Sequence, residues 1–348
     1  MTRVAVVGVG SMGRNHVRVY SEMPGVELVA VVDCNLPAAQ RIEQVYRVRA
    51  YSDVHEMLEK ERPEAVSVVV PTSEHHSMAK LVLEAGCHVL VEKPIAATVE
   101  DAEDLINTAI RLDRFLMVGH IERFNPAIIE LKRRLDAGEL GPLFQINARR
   151  LGPFPTRISD VGVVMDLAPH DLDIMRFLTG SEVAQIYART KQQLRTNQED
   201  LFLGILNFHD GTLGMLEINW LTPTKIRELY VTGARGMFRV NYLTQDLFFY
   251  ENAEASGNGW PALSVLRGVT EGTVHQFAIK KKEPLRGELE AFLEYVQGVR
   301  PRNSNARDAQ TALKLAMALI ESAQSGELTP LAAVSPTPIR LEVQEPKP

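Results

Sequence analysis

An apolar run from Arg3 to Val7 is followed at once by glycines at 8, 10 and 13, and a second run, Glu27 to Val32, ends on Asp33. Few folds tolerate that order. The glycines permit a tight turn and let the backbone approach a pyrophosphate closely, while the following helix, through His16 and Tyr20, offers its amino end to the anion. Gly8, Gly10, Ser11, Met12 and Gly13 are therefore candidate cofactor contacts. Asp33, about 20 residues beyond Gly13, stands where a carboxylate accepts the adenosine ribose hydroxyls. Glycine-rich turns also occur without ligands, but strand, turn, helix, strand and acid in sequence point to a dinucleotide. Asp33 would repel a 2′-phosphate, and no arginine follows it in Cys34, Asn35 and Leu36. NAD is favoured over NADP, with Arg14 the residue that could upset this.

Further runs at Val66 to Val70, His88 to Glu92 and Phe115 to Val118 read as buried strands,. Helical patterns lie between most of them: Ser77 to Ala85, and Val99 to Leu112 behind a Thr98/Asp101 capping box,. Alternating strands and helices predict an α/β Rossmann domain, a doubly wound parallel sheet, over residues 1–122.

The pattern then changes. Asn125-Pro126 predicts a helix start, running to Ala137 before Gly138, and Asp166 to Leu178 reads as another helix,. Strand-like runs follow at Ala184 to Thr190, Leu201 to Phe208, Thr212 to Trp220, Arg227 to Thr232, Met237 to Tyr242 and Asp246 to Tyr250. Asp210-Gly211 suits a hairpin turn. Helices near Gly287 to Val299 and Arg307 to Ser325 complete an α+β domain with a large open, mostly antiparallel sheet, residues 123–330, for substrate binding and oligomerisation. Residues 331–348, with Pro336, Pro338, Pro346 and Pro348 closely following Pro330, predict an extended tail,.

A chain of 348 residues suits two domains, and a net charge of -6 gives no basic footprint for nucleic acid,. No apolar run approaches the ~18 residues that cross a bilayer, and no signal peptide is visible. Two cysteines, Cys34 and Cys87, read as reduced thiols of a cytoplasmic protein,.

The chemistry-bearing residues follow the glycine motif. Pro71, Thr72 and His75 end the strand from Val66 and should reach the crevice beside the cofactor,. Adjacent His75 and His76 do not converge as metal ligands, and no metal is expected. Lys93, after Glu92 at a strand end and before Pro94, suits holding a hydroxyl and stabilising a developing alkoxide. A surface lysine is its bland alternative. Asp166 and His170 stand four apart on one helical face, where the imidazole can act as base and Asp166 can orient it or bind substrate; Asp173 is the other carboxylate within reach,. A helical histidine is otherwise a structural hydrogen-bonding group.

The glycine motif, VEKP at Val91 to Pro94, and DLAPHDLD at Asp166 to Asp173 together resemble the glucose-fructose oxidoreductase, inositol dehydrogenase and MocA-like family over about residues 1–325. The resemblance implies an NAD(P)-dependent dehydrogenase of a sugar or cyclitol, with Glu92 and Lys93 at the cofactor and Lys93, Asp166 and His170 as its catalytic residues. Many members carry glycine where this chain has Ala168. Gly119 to Ala127 and Ala148 to Met175 are similar to the branch containing UDP-N-acetylglucosamine 3-dehydrogenases, which oxidise the sugar's 3-hydroxyl to a ketone. Arg123, Arg149, Arg150 and Arg157 agree in part, since guanidinium forks suit a diphosphate. Each can instead form an internal ion pair. Asn125 is either a helix cap, a substrate contact or both; Asn219 and Trp220 rank behind Arg123, Asn125 and Arg157.

Three functions therefore compete: oxidation of C3 of UDP-N-acetylglucosamine with His170 as base and Lys93 holding the hydroxyl; the same chemistry on a free cyclitol or sugar, or on a UDP-hexosaminuronate; and a dinucleotide-binding sensor without catalysis. Intact Lys93, Asp166 and His170 argue against the last. A homodimer or homotetramer through the open sheet is expected, and a pathway aminotransferase is a candidate partner.

Overall fold

A computed structural model describes residues 1–155, 161–194, 198–253, 270–299 and 305–331. In chain order the elements begin β1 (Thr2–Val7), α1 (Ser11–Glu22), β2 (Val26–Val32), α2 (Leu36–Tyr46), β3 (Arg49–Tyr51), α3 (Val54–Glu61), β4 (Ala65–Val68), α4 (His75–Glu84), β5 (His88–Glu92), α5 (Val99–Arg111), β6 (Leu116–Gly119) and α6 (Pro126–Asp136). They continue with β7 (Leu143–Pro153), α7 (Val163–Thr179), β8 (Val183–Lys191), β9 (Leu201–Phe208), β10 (Leu213–Asn219), β11 (Leu221–Gly233), β12 (Gly236–Asn241), β13 (Asp246–Ala253), β14 (Thr270–Gln276), α8 (Pro284–Val296), α9 (Ala306–Ser325) and β15 (Thr329–Pro330).

The chain forms two compact units, Met1–Asn125 with Lys282–Leu315, and Pro126–Lys281 with the chain from Ala316 on. In the first, six parallel strands run in the order β3-β2-β1-β4-β5-β6. Strand order reverses between β1 and β4, which opens a crevice at the carboxyl ends of the strands. The apolar runs persist because helices cover both faces of a parallel sheet. Short side chains fix the helix starts: Asn35, Asp53 and Thr98 accept from the N–H of Ala38, Glu56 and Asp101,.

Residues 282–315 depart from the single second domain expected over 123–330. Leu285, Leu289, Phe292 and Tyr295 of α8 enter one core with Val4, Val6, Val17 and Tyr20, and the Phe115 ring lies 6.2 Å from Phe292 and 5.0 Å from Tyr295. An apolar helix face joins whichever sheet covers it, whatever its place in the chain.

Among the described residues the second unit holds a nine-stranded sheet in the order β14-β13-β12-β11-β7-β10-β9-β8-β15. All neighbours are antiparallel except β7 and β10. Gly211, with φ 89°, turns β9 into β10 as the Asp-Gly step requires,. One face, with Ile146, Ala148, Leu216, Ile218, Leu229 and Phe238, is fully buried, and α7 packs against β7, β9 and β10. The other leaves Leu203, Ile205, Leu213 and Met215 between 38% and 51% exposed. That face also carries a cavity of 420 Å³ lined by Gln145, Asn147, Arg149, Glu217, Tyr230, Thr232 and Met237, none of them a predicted catalytic residue. Pro330 pairs with Gln185 of β8; the chain after Leu331, which holds most of the expected tail, lies outside the described residues.

Among the described residues no helix is long and apolar enough to cross a membrane. Both cysteines are free, and burial pushes the Cys87 thiol up to about 11.

Candidate active site

In the first unit the glycine turn is built by contacts between backbones. Gly8 has φ 91°, and a Cβ there would lie 2.2 Å from the Val69 carbonyl; one at Gly13 would lie 1.9 Å from the Gly8 carbonyl. Those two glycines are demanded by the chain itself. Gly10 is not, because a Cβ there would meet nothing within 4 Å. It opens α1, whose amino end has no side-chain cap and no acidic residue in its first turn, so orphan N–H groups face open space,. Asp33 is already oriented: Oδ2 accepts from Val9 N–H and Oδ1 from Asn35 N–H, both at 2.9 Å. An uncapped helix end beside a braced, partly exposed carboxylate fits the diphosphate and ribose of a dinucleotide. Arg14 donates from Nε to the Val9 carbonyl at 3.2 Å.

Pro71 and Thr72 follow β4, and Lys93 follows β5, all at the carboxyl edge of the sheet. His75 is 1% exposed, its Nδ1 at 2.7 Å from the Pro94 carbonyl and its Nε2 at 2.9 Å from that of Val70. Burial pushes the ring down toward neutrality against the pull of both carbonyls. Its two nitrogens thus face main chain. Glu92 turns inward to His16, whose Nε2 lies 3.0 Å from its Oε1. Burial would raise the Glu92 carboxyl, but the hydrogen bond from His16, with the Lys93 charge nearby, outweighs it and holds the group below the usual carboxylate range.

In the second unit α7 is buried along nearly its whole length, and Met165, Asp166 and His170 form the partly exposed stripe ahead of its last residue. An otherwise buried helix thus presents an acid and an imidazole one turn apart. Sequence reasoning missed what fixes it. The Glu199 carboxylate accepts from Val164 N–H at 3.2 Å at the helix start, and Arg150 grips Asp171 with Nε at 2.7 Å and Nη2 at 3.0 Å. Asp173 is 1% exposed.

The expected arginine cluster is not gathered as open forks. Arg123 pairs with Asp308 at 3.0 Å, Arg149 with Glu217 at 2.7 Å and Arg150 with Asp171, so the fold accounts for each. Arg157 lies outside the described residues. Asn125 is 1% exposed just before α6. Asn219 Oδ1 accepts from Leu221 N–H, Thr222 N–H and the Thr222 hydroxyl, and Trp220 stacks edge-on against Phe154 with centroids 5.5 Å apart. Both are building parts of the strand end. His76 is held by Asp104 at 2.7 Å, and no group of three or more potential ligands for a metal occurs among the described residues.

A doubly wound sheet with this cradle defines an oxidoreductase of the NAD-binding Rossmann class, and the family description "Oxidoreductase family, NAD-binding Rossmann fold" matches residues 2–120. The GFO/IDH/MocA C-terminal domain matches residues 128–239, and the chain belongs to the GFO/IDH/MocA family. UDP-N-acetylglucosamine 3-dehydrogenase of Acidithiobacillus ferrooxidans is 32% identical over 86% of this chain and 90% of its own. A solved structure of that enzyme superposes with a TM-score of 0.81 at 29% identity, covering 93% of this chain and 97% of the other. The NAD-dependent scyllo-inositol 2-dehydrogenase of Bacillus subtilis is 32% identical over 64% of this chain and 68% of its own.

Proposed function

We propose that the chain oxidises a secondary hydroxyl of a UDP-linked amino sugar, C3 of UDP-N-acetylglucosamine before other positions, giving the UDP-3-keto sugar. The relationship to UDP-N-acetylglucosamine 3-dehydrogenase over most of both chains carries this reading. Bound NAD supplies the hydride acceptor. Lys93 holds the hydroxyl oxygen and stabilises negative charge on it as the proton leaves. His170 takes that proton, while Asp166 orients the imidazole or binds the sugar. The carbon loses a hydride and its oxygen a proton, which leaves a ketone. Asn125, Arg157 and, beside its ion pair, Arg123 are the substrate contacts in this reading.

One observation favours a second substrate class. Three of the four arginines that suit a diphosphate are ion-paired within the fold, which fits a free cyclitol or sugar; a UDP-hexosaminuronate would keep the same chemistry. Purified protein with NAD should generate reduced-cofactor absorbance with UDP-N-acetylglucosamine and none with inositol. Turnover of inositol alone would overturn the nucleotide-sugar reading. Lys93→Ala should abolish turnover and leave NAD affinity largely in place; unchanged turnover would reject the role given to Lys93.

The open face bearing Leu203, Ile205, Leu213 and Met215 is proposed to be covered by a second copy in a homodimer or homotetramer. A keto sugar is the substrate class that an aminotransferase consumes, and such an enzyme is the proposed partner in a cytoplasmic pathway.

A further inference from the structure

Glu92 stands next to Lys93, yet its carboxylate faces the protein interior, with the side chain 13% exposed. Oε1 meets His16 Nε2 at 3.0 Å, and Oε2 accepts from the main-chain N–H of Lys93 at 3.3 Å. His16 is fully buried in the second turn of α1, directly behind the glycine turn, and its Nδ1 has no partner. A lone pair left without a donor costs less than a buried N–H left without an acceptor, so the ring is the tautomer that donates from Nε2 to Glu92. Room for this arrangement comes from Gly119, which pairs with Glu92 in the sheet register. A Cβ there would lie 3.1 Å from the Glu92 carboxyl. On the other side of Lys93, the Pro94 carbonyl is held by His75.

We propose that Glu92 is a positioning residue: anchored by His16, it fixes the main chain of Lys93 relative to the helix that opens at the glycine turn. It therefore acts through Lys93 and does not contact the cofactor with its carboxylate. The inference deepens the proposed function, because it takes Lys93 as the group that holds the hydroxyl. A charged carboxylate buried here is tolerable because it has two donors. Glu288 of α8, fully buried and with neither oxygen partnered, has none, and burial pushes its carboxyl well above the usual range,.

The test separates the clamp from the chemistry. Full-length protein without cofactor is reductively methylated with 13C, and the Lys93 resonance is identified by its loss in Lys93→Arg. In Glu92→Ala that resonance should shift while the other lysines stay in place; in Glu92→Gln, which keeps an acceptor for His16, it should return toward its original position. Kinetically, Glu92→Ala should lower kcat about 10- to 100-fold, the scale of a displacement near 1 Å, with KM for NAD within about threefold, and Glu92→Gln, which has one acceptor oxygen for the two donors, should recover part of the loss. If Glu92→Ala does not fold, Gly119→Ala crowds the same carboxylate without removing it and should move the same resonance. A Lys93 resonance unchanged in every variant, or a raised KM for NAD at constant kcat, would overturn the proposal. A resonance that moves in an enzyme whose turnover survives Lys93→Ala would sustain the clamp and sink the assigned role of Lys93.

Discussion

Replacing Gly10 with alanine should move stability and cofactor affinity in opposite directions. A Cβ at Gly10 has no neighbour within 4 Å, and the backbone there, φ -63° and ψ -163°, is one that alanine adopts without strain. Fewer conformations are then open to the unfolded chain, which stabilises the variant by about 0.4–1 kcal/mol, or roughly 1–4 °C in Tm. The added methyl occupies the space in front of the uncapped helix end. Displacing one charge-assisted hydrogen bond to the diphosphate, a loss of about 1.5–3 kcal/mol, raises Kd for NAD about 10- to 100-fold. Calorimetric melting without NAD gives the first quantity and titration calorimetry the second. Gly13→Ala is the control: its Cβ would lie 1.9 Å from the Gly8 carbonyl, so it should lose stability outright. A Gly10→Ala protein that melts as expected but binds NAD with the original Kd would refute the placement of the diphosphate at this turn.

Arg150→Ala leaves Asp171, 1% exposed, without its two-pronged partner, and should cost about 3–5 kcal/mol in urea unfolding; a loss near zero would mean that water reaches the carboxylate. Glu288 is raised by burial, with Glu92 and Glu122 adding to it, so its folded value lies above the unfolded one. Its contribution is complete below the ordinary carboxylate range and is lost as pH rises through the raised value. Glu288→Gln should therefore gain Tm relative to the parent as pH rises from the ordinary carboxylate range toward that raised value, and a difference that stays constant with pH would contradict a raised Glu288. Ile205→Glu, on the open sheet face at 49% exposure, should yield monomers in sedimentation at concentrations where the parent is oligomeric; an unchanged species would point to another interface.

Local patterns carried the legible part of the fold. The glycine turn, Asp33 and the five buried strands of the first sheet declare themselves because both faces of a parallel strand are apolar. The segment α2-β3-α3 did not, since β3 is three residues long and partly exposed. β7 hid behind polar residues, among them Arg149 and Arg150, which read as diphosphate donors until their partners Glu217 on β10 and Asp171 on α7 are known. Ion pairing is a property of two distant positions, which is why Arg123, Arg149 and Arg150 looked available for a diphosphate. His16 gave a signal that could have been followed: a histidine in the helix after the glycine turn, with a carboxylate closing a strand of the same sheet. Asp166 and His170 were legible as a pair because helical spacing alone puts them together, whereas Glu199, which braces their helix, is far away in sequence.

Strand β7 lies between β10, parallel to it, and β11, antiparallel. Neither neighbour has been synthesised when β7 leaves the ribosome; α7, β8 and β9 come first. Its amide groups on both edges therefore have no native partner during translation, and a nascent chain ending anywhere before β11 carries an open strand at the centre of its future sheet. Closure depends on contacts far apart in sequence, which slow folding and expose pairing edges to other chains. Truncations within β8 to β10 should thus aggregate, and a chaperone that covers β7 until β11 appears would raise the yield of the whole protein more than any improvement of the nucleotide-binding unit.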